Sequence, residues 1–364
     1  MAPVRLGYPL PPGVDFCAAK STGVLRYVTD PSQCTSSEFP VFVTNHAPRA
    51  NGTSAATNED RTVTITLSGS DEDGDDLTFQ ITDPPNDPPD NGVLGPIITT
   101  GHTTATVDYT PNQNFNGGDS FTYTVYDGNG GTDTATVTIT VNAANDPPSF
   151  TAGGDVTVNE DSGAYSATWA TDISPGPANE SGQTVSFNVI DDNHNLFASG
   201  GQPAISSDGT LTFTPAADAF GSATVEVDAR DNGGTANGGV DTSTQTFTIT
   251  VNAVNDEPSF TAGGDVTVNE DSGAYSAAWA TAISAGPRES GQTVSFQVSN
   301  DNNALFSVPP AISSSGTLTF TPAADAFGSA TVTVYLMDNG GTANGGDDTS
   351  PTQTFTITVN AVDD

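Results

Sequence analysis

The chain has 364 residues, 34% of them hydrophobic, and carries 44 acidic against 7 basic side chains, a formal charge of −37 at pH 7. That length suits two to four domains, each able to bury its own core, and so much negative charge makes nucleic acid and anionic membrane poor partners. Thr, Val, Phe and Tyr recur in alternation while long Leu/Ala/Glu/Lys runs are missing, so the expected class is all-β, and no apolar run reaches membrane-spanning length.

Residues 1–45 come first. MAPVRLGYPLPPGV is extended and proline-broken, without the basic start and apolar stretch of a secretory signal. From Cys17 to Cys34 and on through FPVFVT, two or three strands are expected, closed by a Cys17–Cys34 disulfide whose loop contributes about 3 kcal/mol; two free buried thiols are the alternative. A disulfide in a Thr/Asn/Gly-rich chain suggests an oxidising, extracellular setting. The segment is then an ordered cap or flexible leader, or an arm that adds an edge strand to a neighbouring subunit.

Residues 46–146 contain TVTITLSG, DLTFQITD, TATVDYTP, DSFTYTVYD and TATVTITVN. Thr faces water and Val, Ile, Phe or Tyr faces inward, the pattern of an antiparallel sheet with one solvated face. With two weaker segments the count approaches the roughly seven strands of an immunoglobulin-like sandwich. Residues 147–256 and 257–364 are two copies of a related unit: SFTAGGDVTVNEDSGAYSA begins at Ser149 and again at Ser259, and DNGGTANGG begins at Asp231 and again at Asp338. A repeat this long is a whole domain repeated, so the expected architecture is tandem β-sandwiches in a row, a rod, with Trp169 and Trp279 at equivalent core positions.

The acidic residues cluster with Asn and Gly in short loop-like stretches instead of scattering along strands, which points to bound cations over a merely solvated acidic face, calcium first by its preference for hard oxygen ligands. SGSDEDGDDLTF, YTPNQNFNGGDSFTYTVYDGNGG and ATVTITVN in the first module, and the NEDSGAYS start and DNGGTANGG turn in the others, resemble the cadherin-like, immunoglobulin-like tandem repeats of bacterial surface adhesins and secreted multidomain proteins, over about 320 residues. The resemblance implies calcium at module junctions. Its motif falls on Glu59, Glu160 and Glu270 with Asp60, Asp161 and Asp271 beside them; on the linker pairs Asn145, Asp146 and Asn255, Asp256; on Asp71 and Asp73; and on Asp127, Asp231 and Asp338. Physics points the same way, since two carboxylates ~5 Å apart repel by roughly 3 kcal/mol at an effective dielectric near 20. A divalent ion reverses that sign and stiffens the joint.

The second and third modules lack DEDGD, so their upper ligands are expected at Glu180 and Glu289, with Asp172 in the second module only, where the third has Ala282. The joint between modules two and three is therefore expected to bind calcium more weakly than the one before it. The first linker, Asn45-His46, lacks the aspartate and leaves an incomplete upper site. The chain closes on the linker-like pair Asp363-Asp364, so that end is expected to meet further modules or another molecule. With Lys20 the only lysine, lysine–asparagine isopeptide staples are excluded from all three modules.

Catalysis is not expected. His46, His102 and His194 show no metal-ligand spacing, no HExxH or GxSxG segment occurs, and the carboxylates recur at the same module positions as a repeated structural site would. The leading expectation is an extracellular, calcium-stiffened stalk of an adhesin, on the order of 100 Å long by strand rise. The alternatives are a subunit of a self-assembling filament or surface layer, and a glycan-binding module. Expected partners are other copies or further repeats, cell-surface proteins or glycans.

Overall fold

The computed structural model describes residues 15–20, 25–28, 31–42, 45–81 and 89–363; the leader through residue 14 and Asp364 lie outside the described residues. Regular structure among them is β-strand with short 3-10 turns. Contacts divide the chain into two compact units: one holds the residues up to Ser149 with Ser174–Val185 and Arg230–Thr242, the other Phe150–Ile173, Ser186–Ala229 and the chain from Ser243 on.

At the start of the first unit, Asp15–Ala19 pairs antiparallel with Leu25–Val28 on one edge and Glu38–Phe42 on the other. The expected disulfide is formed: Cys17 and Cys34 are joined with their Cα atoms 5.3 Å apart, and Cys17 is fully buried. Arg26 grips Glu38 through two nitrogens at 3.1 and 2.9 Å, and the guanidinium holds that carboxyl down at about 2.

The first sandwich follows. One sheet orders Thr53–Asn58, Thr132–Asn142, Gly117–Tyr126 and Thr78–Ile81; the other orders Arg49–Ala50, Val63–Ser70, Thr104–Pro111 and Gly92–Leu94. The alternation does what it predicts. Ile65, Leu67, Val107, Tyr109, Phe121, Tyr123, Val137 and Ile139 turn inward and are buried, while Thr64, Thr66, Thr136, Thr138 and Thr140 face water. Burying each large apolar side chain contributes about 1.5–3 kcal/mol. One pairing in each sandwich departs from the all-antiparallel expectation: Thr53–Asn58 runs parallel to Thr132–Asn142, as do Val156–Asn159 to Thr242–Asn252 and Val266–Asn269 to Gln353–Asn360. In each sandwich this parallel pair brings the end of the second strand beside the end of the last.

The two later sandwiches repeat one plan. Val156–Asn159, Thr242–Asn252, Gly221–Arg230 and Ser186–Asp191 form a four-stranded sheet, and Val266–Asn269, Gln353–Asn360, Gly328–Met337 and Ser295–Asn300 form its copy. Among the described residues the sandwiches bury three separate apolar clusters, which contain Tyr123, Trp169 and Trp279 respectively. Trp169 is 5% and Trp279 6% exposed, each packed on a phenylalanine (Phe247 at 4.4 Å, Phe355 at 4.3 Å) with its indole N–H donating to Gly154 or Gly264. A Cβ at Gly153 or Gly263 would come within 2.5 or 2.6 Å of the ring, so the first glycine of the repeated AGGD is required by the tryptophan beside it.

Candidate metal centres

The NED turns carry the first layer of acid. After Thr53–Asn58, Val156–Asn159 and Val266–Asn269, the residues Asp60, Asp161 and Asp271 adopt left-handed backbone (φ 57, 57 and 56°), which aspartate tolerates better than most residues. The preceding glutamate then donates its N–H to the end of the last strand: Glu59 to Asn142, Glu160 to Asn252 and Glu270 to Asn360, at 2.9, 3.0 and 2.9 Å. Its side chain is drawn inside, 3, 4 and 6% exposed in the three copies. In each copy Oε1 accepts a backbone N–H, from Ala144, Val254 or Val362 at 2.5, 2.6 or 2.8 Å. The other oxygen, Oε2, is buried with no donor among the described residues.

In the first unit, further acid converges on the Glu59 end. Glu180 Oε1 accepts the N–H of Asp146 at 3.0 Å, and Asp231 Oδ1 accepts from the N–H of Gly233 and from Asn145 Nδ2, both at 2.9 Å. Glu180 Oε2, Asp146 Oδ2 and Asp231 Oδ2 are left buried and unpartnered among the described residues. Glu59 and Glu180 line one cavity of about 230 Å³ with Asn145, Asn179 and Gln183. Burial pushes the Glu180 carboxyl up, and the charges of Asp146, Asp231 and Glu59 push the same way. Asp146 is raised by burial and by Asp60.

The second unit repeats this around Glu160. Glu289 Oε1 accepts the N–H of Asp256 at 3.1 Å; Asp338 Oδ1 accepts from Gly340 at 2.8 Å and Asn255 at 3.0 Å; Glu289 Oε2 and Asp338 Oδ2 are unpartnered. A residue not singled out from sequence joins them. Asp218 offers a carboxylate oxygen that lies, with those of Asp161 and Asp256, within a 4.8 Å cluster. Burial and the charges of Asp218, Asp161, Glu289 and Glu160 push Asp256 up to about 6.

The upper end of the first sandwich is rearranged. Asp71 and Asp73, expected as a pair, are parted: Asp73 turns to His46, accepting its N–H at 2.6 Å and lying 3.0 Å from ring Nδ1, which lowers Asp73 and raises His46. Asp75, not singled out from sequence, takes the second place. Ligand atoms of Asp71, Asp75 and Asp127 lie within 4.8 Å of one another, and Asp71 Oδ1 accepts the N–H of Asp73, Gly74 and Asp75 while Oδ2 is unpartnered. Asp172 is brought into none of these sets: it is exposed, its carboxylate accepts from Thr151 and Thr171, and its backbone is left-handed (φ 51°), as is that of Ala282 (φ 49°). Asn145 and Asn255 use both ends of their amides within the loops.

These sets pass a simple test for a cation. A buried carboxylate oxygen without donor or counter-charge is costly, several kcal/mol per group, and here such oxygens recur at three matching positions of the two units, Glu59 and Glu160, Glu180 and Glu289, Asp231 and Asp338. The donors are oxygens only, rich in carboxylate and carried on loops, which suits calcium over a transition metal.

A second, uncharged feature sits beside the acid. In the first unit Asn142 Nδ2 donates to Asn58 Oδ1 (3.1 Å), Asn58 Nδ2 to the carbonyl of Asn237 (2.8 Å), and Asn237 Nδ2 to the carbonyl of Ala143 (2.8 Å). In the second unit Asn252 donates to Asn159 (3.2 Å) and Asn159 to the carbonyl of Asn344 at 3.4 Å.

Residues 45–140 match the family model described as a bacterial Ig domain. Among solved structures the chain is similar to mouse cadherin-23 EC22-24 (TM-score 0.48, 16% identity, covering 88% of this chain and 100% of that one). It is also similar to Drosophila N-cadherin EC1-4 (0.39, 13%, 98% and 94%) and to mouse protocadherin-24 EC1-3 (0.41, 14%, 74% and 90%). No curated protein matches it. The chain is all-β, with three sandwich cores of which the first lies in the stretch matched to an immunoglobulin-like domain, preceded by a disulfide-closed three-stranded segment.

Proposed function

We propose that this is an extracellular structural and adhesive protein, with modules at 46–146, 147–256 and 257–364, whose two acid-lined joints hold calcium. The observation that carries the reading is the half-satisfied carboxylate: each key acid fixes one oxygen on a backbone N–H and holds the other buried and free. Glu59, Asp60, Asp146, Glu180 and Asp231 would hold the ion in the first unit; Glu160, Asp161, Asp218, Asp256, Glu289 and Asp338 in the second. Asn145 and Asn255 aim the aspartates instead of ligating. Calcium supplies the positive charge that turns mutual repulsion into attraction. The disulfide suits an oxidising compartment.

The test is calcium titration of the whole chain by calorimetry, paired with small-angle scattering before and after EDTA. Uptake with loss of stiffness on chelation is expected; no uptake, or an unchanged scattering profile, sinks the proposal. A second reading, assembly through the end of the third sandwich, is favoured by one observation. Glu270 there repeats the half-satisfied geometry of Glu59 and Glu160, with Oε2 buried and free. Electron microscopy of the purified chain with calcium distinguishes end-to-end polymers from isolated particles.

A further inference from the structure

The upper loops of the second and third modules contain a glutamine three residues after the acid, Glu180-Ser-Gly-Gln183 and Glu289-Ser-Gly-Gln292. The backbone N–H of each glutamine donates to the carbonyl of its glutamate at 2.9 Å, so both side chains leave one tight turn. Which end of the glutamine amide faces the acid is settled by a relay of hydrogen bonds. Asp231 Oδ1 and the carbonyl of Val240 can only accept, so the group that meets them at 2.9 and 2.6 Å is the Asn145 NH₂. Asn145 therefore presents its oxygen to the next residue, and Gln183 Nε2 donates to it at 2.8 Å. Gln183 Oε1 is left over. It is buried, has no donor among the described residues, and belongs to a side chain that lines the same cavity as Glu59 and Glu180.

The second unit repeats the relay. Asp338 Oδ1 and the carbonyl of Asp347 accept from Asn255 Nδ2 at 3.0 and 2.8 Å, Gln292 Nε2 donates to Asn255 Oδ1 at 2.7 Å, and Gln292 Oε1 is again buried and unpartnered. An amide oxygen oriented by a carboxylate two links away, and denied any donor of its own, is a preformed neutral metal ligand.

We infer that Gln183 and Gln292 are ligands of the bound cation, each supplying Oε1 beside the adjacent glutamate. The inference rests on the calcium reading above. It also gives the Glu-x-x-Gln turn a job: one charge and one neutral oxygen stand where the first module presents a run of aspartates. Fewer charges mean less repulsion in the ion-free joint.

Calcium calorimetry on the whole chain tests it with two variants at one position. Gln183→Met removes the oxygen at similar volume and is expected to weaken one class of sites about tenfold, on the scale by which ligand count tunes such loops. Gln183→Glu keeps an oxygen toward the ion but cannot donate to Asn145, so a ligand role predicts affinity equal to or above wild type. A merely structural role predicts a loss like that of the methionine variant. The same pair at Gln292 should act on the other class of sites. Wild-type affinity in Gln183→Met, or equal losses in both variants, overturns the inference and leaves calcium binding standing; a wild-type chain that takes up no calcium overturns both.

Discussion

Around Glu59 the loop that closes the lower end of the sandwich offers an amide, Asn114, whose N–H donates to Asp60 at 3.1 Å; around Glu160 the same place holds a carboxylate, Asp218, whose N–H donates to Asp161 at 3.3 Å. Both residues have left-handed backbone (φ 58 and 54°), so the turn is the same and only the charge differs. The uncharged contacts differ in the opposite sense. The Asn58–Asn237–Ala143 chain runs through two 2.8 Å bonds, whereas the Asn159–Asn344 contact is a single bond at 3.4 Å. One joint is pinned by amides and carries less charge; the other carries more charge and is pinned less. Asp218 also removes the ground for expecting the later joint to bind calcium more weakly, because that ranking leaned on Asp172, which lies exposed and bonded to Thr151. We propose the opposite order, with the extra carboxylate giving the later joint the tighter site.

The largest effect that would break this comparison is expected at Glu160. Glu160→Gln removes a buried charge with an unpartnered oxygen, and calorimetry should lose one class of calcium sites while the Glu59 class persists. Loss of both classes together would mean that the joints do not act separately. Next comes the exchange of the distinguishing residue. Asp218→Asn should lower affinity at the second joint about tenfold, and Asn114→Asp should raise it at the first, since charge count tunes such loops. If neither variant shifts its joint, the charge at this loop is not what separates them.

Acid gives a subtler contrast. Asp256 titrates near 6, raised first by burial and then by Asp218, Asp161, Glu289 and Glu160. The folded chain therefore holds a proton that the unfolded chain has already released, and between the ordinary aspartate value and about 6 metal-free stability should fall as pH rises. Melting in EDTA should accordingly rise by a few degrees from pH 7 to pH 5, with less of that rise in Asp218→Asn. A melting temperature that falls over that interval in both proteins contradicts the crowding of acid around Asp256.

The strands and cores were legible because period-two alternation with Thr outside fixes which face is buried, as Val137, Ile139 and Val141 against Thr136, Thr138 and Thr140 show. Strand direction was not, since alternation is blind to whether a neighbour runs parallel, and Thr53–Asn58 does. The NED acids, Asp146, Asp231 and their repeats could be found from position in the copies. Asp218 could not be paired with Asp161 across 57 residues without the fold, although its recurrence as Asp325 in the repeated PAADAF was a usable signal. In DEDGDD the sequence offers several aspartates in a row. Gly74, at φ 84°, turns the chain so that Asp75 and not Asp73 faces Asp127. The glutamine ligands were hidden for a different reason: only the relay through Asn145 and Asn255 tells which end of each amide is free.

The smallest expected effect isolates the amide pin. Each neutral hydrogen bond is worth about 1 kcal/mol net, so Asn58→Ala, which removes the donor to Asn237 and the acceptor of Asn142, should cost roughly 1–2 kcal/mol at the first joint. Calcium masks that loss, because the acid cluster then holds the joint by itself. In EDTA the loss is exposed: scattering should show the wild-type chain bending mainly at the second joint, and the Asn58→Ala chain bending at both. Asn159→Ala, acting on a joint that is already loose without its ion, should change the EDTA profile little. Equal flexibility of wild type and Asn58→Ala in EDTA would leave the two joints distinguished by charge alone.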